Sequence, residues 1–339
     1  MCAARSSGMI MSMATETTTT KPPLARRVAK VVVAIVLVLV LPMVIAFVVA
    51  GPGAAAATLM STVAAISGAM RSGWRRAAWV VPLLGVYALA TSTVGYGWGW
   101  VVVMGFVGLT AGIGLPYGFL PALIYAGMVP TLVTTVVSTG DAVLTALFAV
   151  LGGALGVVTG RKMGMKPEVP GNLRWTGYEA LSGALCAGLF VAGTSIAVAT
   201  GLPHGYWVAL TLIVVIPPIV QGDDTKRGRE RLVGTIAGLA IVLPISFIPL
   251  PQWAVYVIGF ALLVPAFAVM QKNYTWYAFF ESAAIVMLVS AGSDMIGLDA
   301  ARIEASVIGV ALVAVAVIAV AWGVRHVSPS DVPKAAISP

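Results

Sequence analysis

From Val31 to Ala50 the chain carries no charged or polar side chain, and apolar runs of similar length recur as far as Val324. This feature restricts the fold more than any other. In hydrocarbon every backbone N–H and C=O must be bonded inside the protein, which leaves only helices and closed barrels. Barrel strands alternate apolar and polar residues, and these runs do not. A helix needs about 20 apolar residues to cross a bilayer, so twelve would use roughly 240 residues and leave about 100 for loops and tails. Composition agrees: 60% of the 339 residues are hydrophobic, 9% are charged and mean hydropathy is +1.00. A soluble domain of this size could not cover that much apolar surface.

The sequence therefore predicts an all-α polytopic membrane protein. Twelve helices are expected, at about 31–50, 53–70, 77–94, 98–115, 117–137, 140–160, 178–200, 203–221, 231–249, 252–271, 273–291 and 301–324. Gly51-Pro52-Gly53, Gly95-Tyr96-Gly97 and Gly201-Leu202-Pro203 punctuate the gaps. Proline also falls inside helices, as at Pro42, Pro82, Pro130, Pro244 and Pro265. A secretory signal core is shorter than the first run, which is read as a retained helix. Residues 1–30 read as a disordered cytoplasmic tail, 31–160 as a first six-helix half and 161–177 as a cytoplasmic linker. A second six-helix half, 178–324, and a cytoplasmic tail, 325–339, complete the chain.

Charge position sets the orientation. With the N-terminus in the cytoplasm, 19 of the 20 basic residues fall on the cytoplasmic side and Arg302 alone lies outside. An even number of spans with both termini inside gives this asymmetry. The net charge of +8 is thus used for topology, and no nucleic-acid partner is expected. The chain also repeats. Val103-Met-Gly-Phe106 recurs as Val257-Ile-Gly-Phe260 at an offset of 154. The basic segments Arg71–Arg76 and Thr225–Arg231 each follow the second helix of a set. Six spans return the chain to the same side, so the halves are read as parallel repeats.

The second half carries a recognisable series of residues. Tyr206-Trp207 opens a helix, and Pro217-Pro218 and Thr225-Lys226-Arg227 follow. Next comes Arg231-Leu-Val-Gly234-Thr235-Ile-Ala-Gly238, the most specific piece. Lys272-Asn273-Tyr274 opens a later helix, and Arg302 leads into Ser306-Val-Ile-Gly309. Over 178–324 this resembles the fusaric acid resistance, or aromatic acid exporter, family of bacterial membrane proteins. The first half matches it only in layout, with Arg76 but no Gly-Thr after it. The resemblance implies efflux of small aromatic carboxylates or similar weak acids across the inner (cell) membrane. A second likeness is to major-facilitator carriers, through Gly222-Asp-Asp-Thr-Lys-Arg-Gly228-Arg229, but the loop from Arg71 to Arg76 has no acidic residue to match it.

Glu281 is the leading candidate site residue. It lies roughly 12 Å along the eleventh expected helix. A carboxyl at such depth is costly and is by default a functional candidate, as in proton relays. Tyr274, Tyr277 and Glu281 are spaced i, i+3, i+7 and share a face, where a substrate ring could stack. The alternative is a hydrogen-bonded Glu281 that joins two helices, with the aromatic residues forming an interfacial belt. Trp98, Trp100, Tyr206, Trp207 and Trp253 are assigned to such a belt more firmly. Arg302 could attract a carboxylate, or could pair with Asp299. Arg231 and Thr235 stand at a cytoplasmic helix start, where Gly234 and Gly238 allow close packing. Cys186 reads as a small packed hydrophobe.

No catalytic residues, cofactor or metal site are expected: no nucleophile–histidine–acid set, phosphate loop or zinc spacing is present. The expected partners are a small organic acid and the lipid bilayer, with a homo-oligomer left open. A non-transporting scaffold or envelope-biogenesis protein is the reading from a different class.

Overall fold

The computed structural model describes residues 33–133, 138–165, 177–202, 204–220, 226–246, 248, 250–269, 273–290, 304–305, 307–309 and 311–315. A π-helical turn, Val36–Val40, leads into α1, Leu41–Ser72. There follow α2 (Trp74–Val94), α3 (Trp98–Gly114), α4 (Leu120–Ala126), α5 (Met128–Leu132) and α6 (Thr139–Lys162). The later helices are α7 (Gly177–Ala199), α8 (Tyr206–Val220), α9 (Lys226–Ser246), α10 (Gln252–Val269) and α11 (Tyr274–Ser290). Helix is found within each of the twelve expected stretches, including parts of 304–315. The stretches Val33–Ser72, Trp74–Val94 and Thr139–Lys162 are long and apolar enough to cross a membrane. Shorter apolar helices include Trp98–Gly114, Gly183–Ala199 and Trp253–Ala266.

The first stretch shows how proline and glycine shape it. Pro42 has no N–H and its ring crowds the turn before it. The backbone answers with a wider turn, in which Leu41 N–H donates to Val36 O, five residues back. A straight helix over the 40 residues from Val33 to Ser72 would be about 60 Å long, twice the hydrocarbon core. Gly51 divides it, with φ 81° and ψ −173°, a conformation that glycine adopts without steric penalty. This is the gap expected at Gly51-Pro52-Gly53.

The fifth expected helix, 117–137, is corrected. The chain there forms two short helices, α4 and α5, separated at Gly127. Pro130 cannot donate to the carbonyl of Ala126, so the ladder breaks there. A Cβ on Gly127 would lie 2.7 Å from Val107 Cγ1 and 3.2 Å from Ile213 Cδ1, so the break is wedged between α3 and α8. Trp100 caps the second piece: its Nε1 donates to Pro130 O at 2.7 Å. Trp100→Phe removes that donor from a buried carbonyl, at a cost of about 1–3 kcal/mol. A lower thermal midpoint in detergent is the expected result, and an unchanged midpoint would show that the bond contributes nothing.

Packing runs through small residues. A Cβ on Gly152 would meet the Thr58 backbone, and one on Gly156 would lie 2.6 Å from Thr62 O, so α6 lies close against α1. Thr62 Oγ1 donates to both Thr58 O (2.8 Å) and Gly152 O (3.1 Å). The seam between the first and second halves is α3 against α7. There Gly112 faces Gly183, and Gly108 faces Ala187 and Cys186 backbone. Cys186 is buried among apolar neighbours, as expected. The short pieces α4 and α5 add contacts to α8. The helical residues of 304–315 return to α7 and α8, with Gly309 at Thr211 and Leu312 at Gly193. A separate apolar cluster joins α9, α10 and α11 through Val242, Val255, Ala283, Val286 and Met287.

Candidate functional site

Among the described residues, the buried polar residues Thr235, Glu281 and Ser282 lie on α9 and α11, which pack together. Two glycines one turn apart remove the side chains that would hold these helices apart. A Cβ on Gly234 would strike Thr275 O and lie 2.7 Å from Ala278 Cβ. One on Gly238 would strike Phe279 O. The spacing of the two glycines thus serves the close approach that the sequence suggests. At this contact Thr235 is buried, and Ser282 Oγ donates to Thr235 Oγ1 at 3.1 Å. A hydroxyl–hydroxyl bond across two helices is a suitable link in an apolar interior, because each group would otherwise lack water.

Glu281 lies beside this pair, with 8% of its surface exposed. Its position in the helix gives it a different neighbour. Thr275, Phe279 and Ser282 form the face of α11 turned to α9. Glu281 shares its register with Ala284 and Leu288, where a Cβ on Gly259 of α10 would lie 3.3 Å from Ala284 O and 2.9 Å from Leu288 Cγ. The segment Gln252–Val269 contains no charged residue. Ile285 extends from α11 to the main core.

Tyr274 and Tyr277 are half-buried and pair with each other, ring centroids 5.6 Å apart. On the neighbouring face Trp276 stacks on Phe280 at 5.8 Å and meets Phe279 edge-on at 5.2 Å. Trp276, Trp98 and Trp253 are exposed, the last two at 61% and 69%, as an interfacial belt requires. Trp100 and Trp207 are corrections to that belt: both are buried in the main core. Trp100 lies against Tyr96 at 5.0 Å and spends its N–H on Pro130. Arg231 stands one turn before Thr235 in α9, while Arg302 lies outside the described residues. The structure therefore brings Thr235 and Glu281 to neighbouring positions, adds Ser282, and keeps Tyr274 and Tyr277 one to two turns away on the Glu281 face. Ser282 was not singled out in the sequence, where it is one hydroxyl in an apolar run. Elsewhere, a pocket between α1, α2 and α4 is lined by Ala64, Gly68, Ala77, Leu84 and Ala122 and has room for about one water.

The region holding this cluster also resembles a known family. Residues 182–317 match the family model described as fusaric acid resistance protein-like. Over this stretch the second half is similar to that family. The match takes in nearly all of α7, the whole of α8 to α11 and the helical residues up to Val315. Within the matched residues lie Arg231, Thr235, Tyr274, Tyr277, Glu281 and Ser282. Its apolar helices, with those of the first half, mark an integral membrane protein. No curated protein and no solved structure matches the chain.

Proposed function

We propose that the protein is a secondary transporter of the bacterial inner membrane that exports small aromatic or amphipathic organic acids. The observation that carries this reading is Glu281, a carboxyl buried in an apolar helix beside the Ser282–Thr235 hydroxyl pair. A carboxyl held out of water is expensive, and transporters use such groups to load and release protons. Export of this kind needs no cofactor and no covalent change in the substrate. Tyr274 and Tyr277 would offer a ring surface on the approach to Glu281, and Arg231 and Arg302 would attract the anion on the two sides.

The proposed transporter has twelve spans in two parallel six-helix halves, with both termini cytoplasmic. Related contacts in the halves support it. In the first, Gly156 of the sixth expected span lies on Thr62 of the second. In the second, Gly309 of the twelfth lies on Thr211 of the eighth. The α3–α7 seam is lined by glycine, alanine, Cys186 and Phe190, and offers little to an anion. The α9–α11 cluster is therefore a better binding locus than the seam between the halves.

Deletion and re-expression, scored as tolerance to a panel of aromatic weak acids, test the proposal. The expressing strain should tolerate at least one acid better, and an uncoupler should abolish the difference. If no compound separates the strains, a scaffold role replaces export. A difference that survives the uncoupler would instead exclude proton coupling.

A further inference from the structure

A second cluster lies far in sequence from Glu281, where α1 and α6 end and α2 begins. Trp74, the first residue of α2, packs against the buried cluster of Ala65, Ala69, Ala77, Val81 and Val157. Two guanidinium groups lie over its indole: Arg75 Cζ at 5.4 Å and Arg161 Cζ at 5.2 Å from the ring centroid. Arg161 and Lys162 end α6, and Arg71 is in the last turn of α1. Positive charge is thus concentrated on one small area, with like charges repelling each other.

Acids are sparse in the sequence around these helices. The sequence has no Asp or Glu between Glu16 and Asp141. Asp141 stands in the first turn of α6, about 30 Å along the helix from Arg161. The nearest acid after α6, Glu168, lies outside the described residues. An indole face can hold guanidinium groups, but it adds no negative charge.

The surface beneath these arginines identifies the chemistry that would complete the site. Arg75 and Trp79 are one turn apart on α2, and Trp79 is 80% exposed, with Val86 exposed further along. On α6 the exposed residues Val158 and Leu151 descend from Arg161 in the same way. Both arginines therefore cap apolar stripes that face outward. A soluble anion would use only the arginines. A phospholipid would use both parts, its phosphate at Arg75 and Arg161 and its acyl chains along α2 and α6.

We infer that the Trp74–Arg75–Arg161 cluster is a binding site for an anionic phospholipid headgroup. The test uses purified full-length protein, stripped of lipid in a mild detergent. Mixed micelles containing phosphatidylglycerol or phosphatidylcholine are then added, and inorganic phosphate in a third arm. Bound lipid is counted by native mass spectrometry and stabilisation by thermal midpoint. Phosphatidylglycerol should bind in preference to phosphatidylcholine. Arg75→Gln/Arg161→Gln should weaken that preference roughly tenfold or more, since each surface arginine near an anionic headgroup contributes. Arg75→Lys/Arg161→Lys should keep most of it, and this second variant separates loss of charge from loss of fold. Equal binding of the two lipids, or an unchanged preference in the double glutamine variant, overturns the inference. Stabilisation by millimolar phosphate equal to that by phosphatidylglycerol overturns it too, because the site would then be one for a soluble anion.

Discussion

Gly238→Ala is expected to destabilise the protein by a few kcal/mol, although alanine is the better helix former. In an open helix the exchange would gain about 1 kcal/mol. Here the added carbon falls on Phe279 O, a backbone atom that no rotamer change can move. Helices α9 and α11 must separate, and overpacking of this kind typically costs about 1–3 kcal/mol, occasionally more. Separation would also stretch the 3.1 Å bond between Ser282 and Thr235. Gly188→Ala is the matched control: it lies on α7, and a Cβ there meets nothing within 4 Å. That variant should be neutral or slightly more stable. The measurement is the thermal midpoint of both variants in the same detergent, with transport assayed in parallel. Equal midpoints would mean that α9 and α11 are not in backbone contact at Gly238.

The contrast between these glycines also explains what could be read without coordinates. Helix positions were legible, because apolar runs and Gly/Pro gaps are local signals. So was the close approach at Gly234 and Gly238, because a spacing of four puts two absent side chains on one face. The packing faces of most helices were not. In a soluble helix the buried side differs in polarity from the wet side. In a membrane helix both lipid and protein interior are apolar, so Trp98 and Trp100 look alike two residues apart. One is exposed and the other fully buried. What distinguishes them is Pro130, thirty residues later, whose carbonyl receives the Trp100 N–H. The break between α4 and α5 escaped for a related reason. Proline is tolerated in many membrane helices, and only the neighbouring α3 and α8 make room for a broken one here. Ser282 matters through Thr235, which comes from another helix.

Glu281→Gln is expected to abolish proton-driven accumulation while leaving the protein folded. Glutamine keeps the size and hydrogen-bonding capacity of a neutral carboxylic acid but cannot release a proton. The site is 8% exposed, and an amide there adds no buried charge. The thermal midpoint should therefore stay close to that of the parent protein. If proton release resets the carrier, uphill export in inverted vesicles should fall by about tenfold or more, the factor set by about 1.4 kcal/mol of lost coupling. Exchange of labelled for unlabelled substrate, which needs no net proton movement, should persist. Glu281→Asp should retain pH-dependent export, since it keeps an ionisable group one methylene shorter. The decisive comparison is between uphill export and exchange in the same vesicles. Normal uphill export by Glu281→Gln across a pH range would remove Glu281 from the coupling mechanism and leave it as a helix-joining residue beside Ser282. Loss of both activities with an unchanged midpoint would place Glu281 in substrate binding rather than in proton coupling.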